Sequence, residues 1–92
     1  MKYVTTWSAS TANYTAAISR FLETGGLPPA GVKMLARYHA LEGSNHGFIV
    51  AESPDAKGIF TWLAGWMDVV SFEATPVLED AEAAGILQSL RK

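Results

Sequence analysis

The chain has 92 residues, a formal charge of −2 spread without blocks, no cysteine, and 17% charged against 49% hydrophobic residues. These values exclude disulfides and thiolate chemistry and leave no basic footprint for nucleic acid or an anionic membrane surface. No apolar run reaches the roughly 18 residues of a membrane span, and Met1-Lys2-Tyr3 opens straight into a strand pattern, so a soluble, untargeted cytoplasmic protein is expected.

The length predicts a single domain over residues 1–92. Domains of this size hide only about 60 to 65% of their unfolded surface, so an apolar-rich chain is expected to lean on a partner subunit.

In chain order, Tyr3-Val4-Thr5-Thr6-Trp7 is β-branched and aromatic and reads as a strand, followed by possible helix-capping hydroxyls at Ser8 and Ser10. From Thr11, the apolar positions Tyr14, Ala17, Ile18, Phe21 and Leu22 follow helical spacing, and Gly25-Gly26 stops that helix. Leu27 to Gly31, with two prolines, is a stiff connector, and Val32 to Ala40 is the second strand. The turn cluster Glu42 to Gly47 joins it to Gly47–Glu52 as an antiparallel hairpin.

Ser53-Pro54-Asp55 reads as a helix start with Ser53 as cap and Pro54 in the first turn. The second helix is expected to bury Ile59, Trp62, Leu63 and Trp66, and Val69 to Ala74 is the fourth strand, closed by Thr75-Pro76. Glu79, Asp80 and Glu82 open a last helix with an apolar line of Ala83, Ile86, Leu87 and Leu90, and Arg91-Lys92 complement its negative end.

Two successive strand-helix-strand units predict an α+β fold: a ferredoxin-like βαββαβ sandwich plus a C-terminal helix, with a four-stranded antiparallel sheet in the order 4-1-3-2. Right-handed crossovers place both main helices on one sheet face. The other face is left bare, and a homodimer whose sheets pack face to face is the expected way to cover it.

Alternation on strand two separates Lys33, Leu35, Arg37, His39 and Leu41 from Val32, Met34, Ala36, Tyr38 and Ala40, and the second set is expected to face the helices. On strand four, Ser71 and Glu73 oppose Phe72 and Ala74; Tyr3, Thr5 and Trp7 share one face of strand one. If the polar sets share the bare face, Arg37, His39, Glu73 and Trp7 meet in one cavity, and a small organic or anionic ligand is expected either between sheet and helix layer or across the dimer.

In an enzyme, His39 would be the general base, Glu73 its orienting partner, Arg37 the electrostatic clamp, and Trp7 and Tyr3 the walls. The plainer reading is an Arg37–Glu73 ion pair with His39 at the sheet rim. His46 lies in a turn and lacks the close spacing to His39 that a metal pair needs, so no metal and no cofactor are expected. Trp62 and Trp66, four apart, read as core packing. Gly25-Gly26 follow a helix end and so form no phosphate cradle, and no serine has a nucleophile-elbow setting.

Arg20–Gly26, the Pro29–Val32 connector, Arg37-Tyr38-His39-Ala40, Gly47-Phe48 with Glu52, the Trp62–Trp66 stretch and Phe72–Leu78 carry a resemblance, from about Thr6 to Glu82, to domain-of-unknown-function family 3303. That resemblance implies a ferredoxin-like fold of the dimeric α/β-barrel type and brings no established activity. The wider fold group implies a ligand-binding homodimer, with a structural dimer or a small cofactor-independent monooxygenase- or isomerase-like enzyme as alternatives.

Overall fold

The computed structural model describes residues 1–43 and 45–91; the turn position Ser44 and the terminal Lys92 lie outside them. The elements run β1 (Lys2–Ser8), α1 (Tyr14–Thr24), β2 (Lys33–His39), β3 (His46–Glu52), α2 (Ala56–Ala64), β4 (Ser71–Val77) and α3 (Asp80–Ser89). The sheet order is β2-β3-β1-β4 with every neighbouring pair antiparallel, the ferredoxin-like arrangement with a helix appended.

Local chemistry explains most boundaries and shifts several of them, with the fourth strand starting at Ser71 rather than Val69. Residues before Tyr14 form a turn, so α1 starts later than Thr11. Asp55, not Ser53, caps α2: its carboxylate accepts the Lys57 N–H at 3.0 Å, while the Ser53 hydroxyl donates to the Asp55 carbonyl at 2.7 Å. The last strand runs through Pro76 to Val77, because β4 is an edge strand and an edge tolerates a residue without an N–H.

The main core joins Tyr3, Val32, Ile49 and Ala51 to Ile59, Trp62 and Leu63 of α2. A smaller cluster holds Ala9, Ala17, Val69 and Val70, and Ala17 is the sole buried residue of α1. The two helices therefore sit on the sheet unequally. α2 is packed down, whereas α1 leaves space beneath it.

A bulge decides which side chains reach that space. Between β2 and β3 the pairing passes from Met34↔Ala51 to Ala36↔Val50, so Leu35 is an extra residue. Each extra residue in a strand reverses the facing of all that follow. Val32 and Met34 face the helices as expected, but beyond the bulge the expectation inverts. Arg37 and His39, opposite Ile49 and Gly47, point to the helix layer, and Ala36 and Tyr38 turn to the open face.

Candidate functional site: a cavity beneath the first helix

Between α1 and the sheet lies a cavity of about 280 Å³ with a wall that is almost wholly apolar. Trp7, Ile49 and Phe72 form its floor on the sheet, Ala17 and Phe21 its roof, and Trp62, Leu63 and Trp66 its end wall. Ile18, Leu22 and His39 line it and are exposed, so it opens to solvent beside them.

Polar ties at its margins hold α1 over this space. At its N-terminal end, the Tyr14 hydroxyl donates to the Gly43 carbonyl at 2.7 Å. Midway, Arg20 makes a fork to Asp68 at 2.9 and 2.7 Å and a third bond to the Gly65 carbonyl, with its guanidinium over the Trp66 ring. The hydrogen bond from Arg20 holds the Asp68 carboxyl below its ordinary pKa.

At the C-terminal end, Arg37 donates to the Gly26 carbonyl at 2.9 Å and the Gly25 carbonyl at 2.7 Å. These are carbonyls at a helix end, where a cation also meets the negative pole of the helix dipole. Gly25 and Gly26 both take left-handed φ, 75° and 58°. Arg37 packs over Phe21, 4.8 Å from its centroid, and partial burial lowers its pKa by withdrawing water from the charge. The residue thus fastens the α1 terminus and adds a cation to the cavity wall.

His39 stands between two aromatic rings, 5.2 Å from Trp7 edge-on and 5.4 Å from Phe21. Among the described residues, its imidazole has no hydrogen-bond partner, and the Trp7 indole Nε1 is a buried polar atom that also lacks one. A buried donor left unpaired costs about 1–3 kcal/mol, so the packing of the Trp7 ring carries that penalty.

Of the residues expected to form a site, the structure brings Arg37, His39 and Trp7 together and separates the other two. Glu73 pairs with Thr6 on the opposite sheet face, away from Arg37 and His39, so neither an Arg37–Glu73 bridge nor a His39–Glu73 dyad forms. Tyr3 is buried in the main core rather than lining the cavity. His46, on the open face beside Ser8, approaches Glu42 at 3.5 Å. No cluster of three metal-ligating side chains occurs among the described residues.

Phe21, Trp62 and Trp66 read from sequence as packing residues; here they are walls. Trp66 lies beyond the end of α2 rather than on the helix with Trp62. The one sequence signal for a void was the small Ala17 between larger side chains on the sheet-facing stripe of α1.

Fold and cavity together define a ferredoxin-like α+β protein with an interlayer apolar pocket. The chain belongs to the family described as domain of unknown function DUF3303, whose model matches residues 1–91. A solved structure of a proposed antibiotic biosynthesis monooxygenase from Deinococcus radiodurans is similar at 12% identity and a TM-score of 0.40, over 85% of this chain and 92% of that one. No curated protein matches the chain. No helix is long and apolar enough to cross a membrane among the described residues.

Proposed function

We propose that the protein is a homodimer that binds a small, mainly apolar organic molecule beneath α1, with a hydrogen-bond-accepting or anionic end directed to Arg37 and His39. The observation that carries this reading is the open cavity of about 280 Å³ with an almost wholly apolar wall at which Arg37 and His39 stand. This volume lies at the small end of the range for ligand sites, which suits a one- or two-ring molecule. Aromatic walls at Trp7, Phe21 and Trp66 suit a flat one.

Binding rather than catalysis is the stronger reading, because no carboxylate orients the His39 imidazole among the described residues. The homodimer is favoured by the open sheet face, where Phe48 and Tyr38 stand exposed beside Val4 and Val50.

The test is a calorimetric and thermal-shift titration with naphthalene-2-carboxylate, its methyl ester and cyclohexanol, on wild type and Ala17→Leu. Saturable binding of the aromatic carboxylate, weaker for the ester and lost when leucine fills the cavity, is expected. At about 100 times its Kd a ligand adds about 2.7 kcal/mol of stability. Equal binding to Ala17→Leu, or no binding of any probe at millimolar concentration, overturns the reading.

A further inference from the structure

We infer that α3 is an exchanged arm: its apolar side packs against a second copy of this chain, beside the Leu35–Tyr38 margin of the partner's open sheet face. This rests on the homodimer proposed above and specifies what the last helix does in it.

The first ground is that α3 cannot be held by its own chain as it stands. It has ten residues, carries Gly85 in its middle and buries none of them. An isolated helix shorter than about 12–15 residues is marginal in water, and an interior glycine costs it about a further 1 kcal/mol. Ile86, Leu87 and Leu90, with Ala83 on one helical side, are 55%, 62% and 71% exposed. Its root, by contrast, is fixed: a reciprocal capping box joins Glu79 and Glu82, and Lys2 holds Glu79 at 2.6 Å. The helix is aimed but unsupported.

The second ground is size. The accessible surface is 6381 Å². A compact monomer of 9.9 kDa exposes about 5,200 Å². The excess of about 1,200 Å² exceeds the roughly 800 Å² that each partner buries in a standard interface. The radius of gyration, 15.5 Å, and the long dimension of 55 Å agree, since a compact chain of this length has a radius of gyration near 12 Å. The excess surface is large enough to supply one side of a standard interface.

The third ground is complementarity across the open face. Its β4 half is polar up to Val77, with Ser71, Glu73 and Thr75, whereas its β2 half presents Leu35 and Tyr38 at the edge. A two-fold axis parallel to the strands lays β4 of one copy over β2 of the other. α3, which follows β4, then supplies to the β2 margin the apolar surface that β4 lacks. Both copies do this at once, as an isologous interface requires.

Because the chain has no cysteine, introduced thiols report contacts without background. Sedimentation equilibrium of the full chain is compared for wild type, Leu87→Glu and Gln88→Glu, whose change falls on the other side of α3. Equimolar Leu87→Cys and Tyr38→Cys chains are then mixed with a short bis-maleimide. The expected results are a wild-type dimer, a dimer dissociation constant raised at least tenfold by Leu87→Glu only, and a cross-linked species containing one chain of each kind. A wild-type dimer that Leu87→Glu leaves intact overturns the arm but not the dimer. A wild-type monomer at about 100 μM overturns both, and an intact dimer that gives no cross-link between the Leu87→Cys and Tyr38→Cys chains overturns the arm.

Discussion

Arg37 and Gly26 fit each other closely: the guanidinium donates to the Gly26 carbonyl at 2.9 Å, and a Cβ at Gly26 would lie 2.7 Å from Nη1. The loop that ends α1 and the cation that fastens it therefore depend on one another. Gly26 also holds φ 58°, where a side chain costs about 1–2 kcal/mol. Gly26→Ala is expected to destabilise by about 1–2 kcal/mol in urea unfolding, most of it from the backbone, because the arginine tip can shift. An unchanged midpoint would contradict the fit.

Removing the cation tests the same junction from its other side. Arg37→Ala leaves the Gly25 and Gly26 carbonyls without their donors and is expected to cost about 1–3 kcal/mol. Arg37→Lys should recover only part of that, since an ammonium lacks the fork that serves two carbonyls at once. Hydrogen exchange at the C-terminal turn of α1 should quicken in both variants. Full recovery by lysine would reduce the role of Arg37 to charge alone.

Acid should loosen the middle tie of α1. The Arg20 hydrogen bond and charge hold the Asp68 carboxyl below its ordinary value. A carboxyl depressed by folding contributes stability that is fully present above its unfolded pKa, near pH 4, and lost as pH falls through the folded value. The melting-temperature gap between wild type and Asp68→Asn is therefore expected to be widest near neutrality and to narrow below about pH 4. A gap that stays constant to pH 2.5 would show that this carboxylate is not linked to folding.

Gly47 is required by a close approach rather than by its own backbone angles. A Cβ there would collide with the Tyr38 carbonyl oxygen and meet the Trp7 ring at 2.7 Å. The carbonyl belongs to the β2–β3 ladder and has little freedom to move, so strand pairing itself must yield. Gly47→Ala is expected to cost about 3 kcal/mol, at or beyond the upper end of ordinary overpacking, and to lower affinity for any cavity ligand by displacing Trp7. Chemical denaturation measures the first effect, and a loss under about 1 kcal/mol would refute the reading.

Much of the architecture was legible in the order of the residues. The helical stripe from Tyr14 to Leu22, the Gly25-Gly26 stop, the prolines of the connector and the two-residue alternation of β1 are local signals, and they fix element type through sterics and burial of one face. The repeated strand-helix-strand plan then leaves few permissible topologies, and the observed strand order is the one expected.

Which side of the sheet the cavity occupies was not legible, because one residue intervened. Up to Met34 the alternation of β2 assigned faces correctly; the extra residue Leu35 inverted it, carrying Arg37 and His39 to the helices and leaving Glu73 on the other side of the sheet. No composition or spacing marks that bulge, since its position depends on how β2 and β3 slide into register. The sequence by itself thus determined the elements and their layering, which rest on short-range sterics and hydrophobic period. Only the tertiary structure decided which charged groups share a chamber, because strand facing is a long-range property that a single inserted residue reverses.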